Sequence, residues 1–333
     1  MNETQTTKRE FGLFAAMAFG LPLLMMLPLW MGYRAGADNS GFANVQMFYP
    51  AAGVMLAFWL CGRPGLPKRF FGLHLAGTIL LMVLALLSVF SPSPSWPLYS
   101  NLLIIALSLA GWVLLLTEKK PKRQSYGLCW QGSIIRAMAL CGLFLALKTG
   151  MIFLSMALEG AESFAAYLSY WASPVPWLNL LILVPNFFLA FLPFLGEEYG
   201  WRYYMTPALQ KRFGLRKGLL LTGAAWGLWH LPLNLFFYSP DTSLQSIASQ
   251  LVVCVTMGVF FSFCYETCGR NIWVPVLLHY LNNNMILVWA GTADISNQVL
   301  TWSSVAQSAV MYILCFMPFL AARCFRDKSK AAS

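Results

Sequence analysis

Charge is what this sequence has least of. Only 10% of its 333 residues are Asp, Glu, Lys or Arg, against roughly 25% in a typical soluble domain. That shortage excludes a solvated globular domain as the main body of the chain. Histidine is scarcer still, with three in all, and no HExxH pattern occurs. The eight cysteines (Cys61, Cys129, Cys141, Cys254, Cys264, Cys268, Cys315 and Cys324) include no CxxC pair and fall mostly inside apolar runs. They read as small buried hydrophobes rather than disulfides or zinc ligands. Also missing is any internal repeat of the kind transporters use.

What is present is apolar. The chain is 59% hydrophobic with a mean hydropathy of +0.63, and runs of about 20 apolar residues recur along almost its whole length. In lipid every backbone group must be satisfied within its own segment, so helices are the expected element. The fold class read from this is all-α, a polytopic transmembrane bundle. The polar start Met1–Glu10 leads into an apolar run ending about Gly32. That run is too long for a signal peptide and lacks a small-residue cleavage site, so it reads as an uncleaved first helix. Further spans are expected near 42–62, 70–91, 98–117, 132–157, 177–200, 218–237, 247–267, 272–290 and 304–322. The total is about ten, within a range of eight to ten, and one of them could be re-entrant.

The net charge of +10 is distributed in short clusters between the runs. Basic segments fall at the N-terminus, 63–69, 118–123, 211–217, Arg270 and 323–330; neutral or acidic ones fall at 34–41, 92–97, 158–176, 238–246 and 291–303. Strict alternation of this kind is the positive-inside pattern, and it places both termini in the cytoplasm. It also removes nucleic acid as a partner, leaving membrane lipid. The charged linker Glu118–Arg123 is the best internal boundary. It separates N-terminal helices over 1–125 from a membrane domain over 128–325.

The chemistry sits in that second part. Gly196-Glu197-Glu198-Tyr199-Gly200-Trp201-Arg202 puts two carboxylates and an arginine near the end of an apolar segment. A charge there costs roughly 2.5–3.5 kcal/mol on insertion scales, so such residues pair or serve a function. At helical pitch Glu198 and Arg202 share a face and pair, while Glu197 points to another sector. Two histidines lie in late apolar spans, His230 and His279, each with an amide four residues on, Asn234 and Asn283. Glu198, His230 and Asn283 each stand 13 residues from the nearest basic cluster (Lys211, Lys217, Arg270). That is roughly 20 Å of helix, with His279 at roughly 14 Å. Three separate spans thus bring a carboxylate, an imidazole and an imidazole–amide pair to comparable depth. A carboxylate and a histidine can hold and deprotonate a water, and an imidazole with a carboxamide can donate to an oxyanion. No serine or cysteine pairs with a histidine in the sequence, so a covalent nucleophile is not indicated. Hydrolysis of a peptide bond by activated water fits these groups best.

These three stretches, Glu197-Glu198-x-x-x-Arg202, Trp226-x-x-x-His230 and His279-x-x-x-Asn283, resemble the EExxxR, FxxxH and HxxxN motifs of the CPBP family of intramembrane proteases. That family includes CAAX prenyl endopeptidases of the Rce1 type and bacterial Abi proteins. The resemblance covers about 177–290, and residues 1–125 have no counterpart in it. Two positions depart: Trp226 stands where Phe is usual, and Tyr203 where Gly is usual, beside the site. The resemblance implies Glu197 as general base, His230 as its partner on the water, His279 and Asn283 as oxyanion donors, and Glu198 with Arg202 shaping the site. Members of the family have been described both as metalloproteases and as metal-independent glutamate proteases, and the lack of an HExxH motif here leans toward no cofactor, with zinc as the alternative. Catalytic zinc normally takes three protein ligands, often from a compact helix motif, and a zinc site could here be made only from Glu197, His230 and His279. The implied substrate is a lipidated or membrane-bound protein or peptide reached from the cytoplasmic side. The implied location is the bacterial inner membrane.

Competing readings are a non-cutting membrane scaffold or immunity factor, and a transporter with buried Glu, Arg and His as its path. Other polar residues read as structural. Asn234 makes a helix–helix hydrogen bond, His74 sits in a span without polar company, Arg136 snorkels, and Glu266 pairs with Arg270. Lys148 stands mid-span without an evident partner and could face substrate.

Overall fold

The computed structural model describes residues 7–91 and 93–326. Residues 1–6, Pro92 and the end of the basic tail, with Lys328 and Lys330, lie outside the described residues. Those described are helical, with no strand among them. Six helices are long and apolar enough to cross a membrane: Lys8–Arg34 (α1), Lys68–Phe90, Trp96–Thr117, Ile134–Glu159, Pro240–Thr267 and Trp302–Ala321. A pair bent by 60°, Ala161–Ala172 with Val175–Leu189, makes a seventh if it counts as one span. The six coincide with six of the expected spans.

The other four expected spans fall on shorter, interrupted helices, so six or seven helices rather than ten are long and apolar enough to cross a membrane among the described residues. Residues 42–62 divide into Ser40–Gln46 (α2) and Tyr49–Leu60 (α3), with Pro50 opening the second. Residues 177–200 divide into Val175–Leu189 and Phe191–Glu198 (α4), which continues as a π-helix over Tyr199–Met205. Residues 218–237 become Leu215–Trp229 (α5), a break at His230, and a π-helix over Asn234–Tyr238. Pro232 cannot donate to the carbonyl a turn earlier, which ends regular pairing there. Residues 272–290 become Trp273–Asn284 (α6) and Ile286–Ala290. Non-helical backbone at membrane depth is tolerated where protein or a water-filled cavity covers it. The three segments that carry the motifs are all of this interrupted kind.

One connection differs from expectation. Residues 158–176, read as a neutral loop, hold the helix Ala161–Ala172. Gly160, at φ +130°, ends the preceding helix and starts this one. Its Tyr170 hydroxyl donates to the Val288 carbonyl at 2.8 Å.

A single apolar core runs from Phe14 to Phe316 and joins the N-terminal helices to the motif helices. Two glycines set how closely they approach. A Cβ at Gly196 would meet the Met47 backbone, and one at Gly200 would meet Pro50. Only the bare backbone lets α4 lie against the α2–α3 junction. That junction is fixed from its other side by His74, whose Nε2 donates to the Phe48 carbonyl at 3.1 Å while the ring stacks on Phe48. His74 is therefore structural, as its sequence setting suggests.

Candidate active site

Glu197, His230, His279 and Asn283 line one cavity of about 160 Å³. The residue count to the charged ends expects Glu198, His230 and Asn283 at comparable depth with His279 a turn lower, and here Glu197, beside Glu198, shares one space with His230, His279 and Asn283. The carboxylates separate as helical pitch requires. Glu197 is 2% exposed, Glu198 and Arg202 0% and 2%. The Arg202 Nη1 lies 3.1 Å from both Glu198 oxygens and is aligned for a hydrogen bond on Oε1. Its guanidinium also sits 4.2 Å from the centre of the Trp226 ring and 5.3 Å from that of Phe261. An arginine so placed keeps charge and cation–π partners in a dry setting. Breaking a buried pair by removing one partner costs about 3–5 kcal/mol, so this one is a structural element of the site.

Glu198 has a second partner. His279 Nδ1 lies 2.8 Å from Glu198 Oε1, and since a carboxylate only accepts, Nδ1 carries the proton. His279 is thus oriented by the carboxylate that Arg202 holds, with Nε2 left over. His230 is fixed in a similar manner. Its Nδ1 donates to the Trp226 carbonyl at 2.8 Å, which leaves Nε2 as the lone-pair nitrogen. The break after α5 places it there, because His230 is the residue that caps that helix.

Glu197 Oε2 accepts two indole N–H groups, from Trp226 at 2.6 Å and from Trp201 at 3.2 Å. Oε1 takes no hydrogen bond among the described residues. One oxygen is therefore tied down and the other is available to the cavity. The Trp226 bond was not anticipated. In the sequence this position reads as a conservative change from Phe, yet the indole adds a donor that Phe lacks. Asn283 Oδ1 accepts from Asn282 Nδ2 at 3.0 Å, so the Asn283 amide nitrogen keeps its own N–H groups to give.

Further lining residues were invisible to motif reasoning: Gln46 from α2, Tyr238, Gln250, Cys254 and Asn282. Cys254 Sγ is 4.0 Å from His230 Nδ1, a proximity the sequence did not reveal. That nitrogen already gives its proton to a carbonyl, so it cannot act as base toward the thiol. Among the described residues no group of three His, Cys, Asp or Glu side chains is placed to hold a metal ion. Glu197, His230 and His279 stand around the cavity without forming such a set.

Several residues lie apart. Tyr203 stacks on Tyr199 at 4.4 Å and abuts Gly127, packing the linker rather than the cavity. Asn234 Oδ1 accepts from Ser246 at 2.7 Å, the helix–helix bond its setting implied. Arg136 donates to the Thr267 carbonyl at 2.8 Å, and Glu266 pairs with Arg270 at 3.1 Å. Lys148, expected to lack a partner, hydrogen-bonds the Tyr312 hydroxyl and lies 5.7 Å from the Trp289 ring centre.

Residues 176–285 match the family described as Type II CAAX prenyl endopeptidase Rce1-like. A curated relative, CAAX prenyl protease 2 of Methanococcus maripaludis, is 30% identical over 172 residues. The match covers 48% of this chain and 59% of that protein. The family segment contains all three motifs and excludes the N-terminal helices before Lys120. Through this segment, which holds most of the cavity, the chain is similar to the Rce1-like type II CAAX prenyl endopeptidases, and it spans only 59% of the length of the curated relative it matches.

Proposed function

We propose that the chain is an intramembrane endopeptidase that hydrolyses a peptide bond in a membrane-associated or lipidated protein, using water activated by Glu197 and His230. The observation that carries this reading is the set of unspent atoms around one cavity. Glu197 Oε1 and His230 Nε2 are acceptors for the two water protons, and the groups that orient them, Trp226 and Trp201, are themselves buried. Glu197 takes one proton as the water oxygen attacks the scissile carbonyl. The carbonyl oxygen becomes an oxyanion and is met by N–H from Asn283 and, in its imidazolium form, from His279 Nε2. Collapse breaks the C–N bond, and Glu197 returns its proton to the departing amine.

By analogy with the relative's name, the substrate is a CAAX-type prenylated peptide approached from the cytoplasmic face of the cell membrane. The test is cleavage of an internally quenched farnesylated peptide, alongside an unprenylated peptide library, by purified protein in detergent. Wild type should cleave and Glu197→Gln should not. Equal turnover by both proteins would refute the assignment, and binding without cleavage by wild type would favour a scaffold role.

A further inference from the structure

We propose that Gln46 is a substrate-binding residue whose side-chain oxygen accepts a backbone N–H of the bound peptide, so that the N-terminal helices form part of the recognition site. This rests on the endopeptidase reading and extends it to a part of the chain outside the family segment 176–285.

The argument begins with orientation. Gln46 is the last residue of α2, 4% exposed, and lines the cavity beside Glu197 and His230. Its Nε2 donates to the Trp229 carbonyl at 2.9 Å. A carbonyl only accepts, so the amide nitrogen must lie on that side and the oxygen on the other. No donor among the described residues reaches Oε1, and this oxygen is not among the fully enclosed unpaired atoms. Gln46 therefore presents a fixed acceptor to the cavity, and a polar group in so buried a setting needs a partner.

The cavity indicates what that partner is. Its lining contains no lysine or arginine, and apart from Glu197 and the histidines its polar groups are carboxamides, the Tyr238 phenol, the Cys254 thiol and two indoles whose N–H groups donate to Glu197 and to the Ala18 carbonyl. Such a wall suits neutral main chain, in which every peptide unit offers an N–H and a carbonyl, better than it suits a charged side chain. Glu197, His230, His279 and Asn283 are occupied by the reacting water and carbonyl. Gln46 is then free to take an N–H flanking the scissile bond. The residue is also held firmly, as a recognition group must be. Asn39, just before α2, donates to the carbonyls of Leu29 and Phe236, each at 3.2 Å. Beyond Gln46, the Met47 backbone lies against Gly196.

A purely structural Gln46 would tie α2 to α5 and do no more, so the test must read an effect that such a tie does not give. The probe is the farnesylated quenched peptide and a set of its singly N-methylated forms. In wild type, methylation of one backbone nitrogen should raise KM roughly three- to tenfold, the scale of one neutral hydrogen bond. Gln46→Met, close in volume, should raise KM for the parent peptide by a similar factor with kcat little changed, as for an interaction equal in ground and transition states. In that variant the same methylation should cost nothing further. Gln46→Leu, which likewise lacks an acceptor, should lose the sensitivity in the same way, and it serves if Gln46→Met does not fold. Additive effects at every position would overturn the proposal while leaving the peptidase reading intact. Should wild type cleave no peptide, the reading fails, and the same cycle in anisotropy binding to Glu197→Gln still decides on Gln46. Absence of binding there would overturn the proposal as well.

Discussion

Replacing Trp226 by Phe isolates one hydrogen bond at the reacting carboxylate. The ring remains to face Arg202 and the His279 edge, 5.5 Å away between ring centres, and only the indole N–H and part of the bicycle are removed. The lost bond is short, 2.6 Å, and ends on a carboxylate oxygen buried to 2% exposure. Hydrogen bonds to charged groups contribute about 1.5–3 kcal/mol net, which at 1.36 kcal/mol per decade is roughly 10- to 150-fold in rate. Two features move the expectation toward the lower end. Trp201 still donates to the same oxygen at 3.2 Å, and the space left by the indole is polar enough on one side to admit a water. Expected is a fall in kcat of about tenfold with KM nearly unchanged, because the bond aims the base rather than the substrate. The assay is steady-state cleavage of the farnesylated quenched peptide, with thermal melting in detergent as the control for folding. Phe is the residue that the family motif carries here, so the variant should fold. Turnover equal to wild type would refute the idea that the indole N–H holds Glu197 in its working position.

Four other outcomes are expected. Glu197→Gln and His230→Ala should each abolish cleavage while the protein stays folded, and the double variant should be little worse than either, since groups acting on one water are not additive; losses that multiply would separate their roles. Activity should survive exhaustive chelation and follow a bell-shaped pH profile, whereas loss on stripping and recovery with Zn²⁺ would make Glu197, His230 and His279 a ligand set. His74→Ala should lower thermal stability by about 1–3 kcal/mol, through loss of a buried hydrogen bond and a stacked ring. Turnover per folded molecule should stay near wild type, and a specific kinetic defect would contradict its structural assignment. In a cysteine-free background, membrane-impermeant reagent added to intact cells should label a cysteine at position 165 and not one at 120, and the reverse would invert the topology.

Local geometry explains what could be read from the chain alone. The Glu198–Arg202 pair follows from helical pitch, and the agreement in depth of Glu198, His230 and Asn283 follows from counting residues to a charged end. Both are properties of single segments. The interruption of the motif-bearing spans was not visible, because an apolar run with a proline near one end reads like any other run. Gln46 escaped notice for a different reason. It is a lone amide in an apolar stretch, and its place in the cavity depends on docking against residues 150 or more positions later in the chain, which no periodicity encodes. Trp226 was visible as an aromatic position, but its donor matters only once Glu197 is known to lie beneath it. Residues 158–176 looked like a loop for lack of a long apolar run, and the helix there is held by contacts from Tyr170 to a distant segment.

The close approach at Gly196 and Gly200 has a consequence for how the protein comes into being. Residues that line the cavity range from Ala43 to Asn283, so the first motif helix, α4, is seated against an α2–α3 junction made earlier in the chain, and His279 and Asn283 arrive last from the ribosome. A nascent chain halted between α5 and α6 carries Glu197 and His230 but lacks His279 and Asn283. On the peptidase reading proposed above, competence is thus tied to synthesis through α6: a product stalled earlier can occupy the membrane without being able to cut its neighbours.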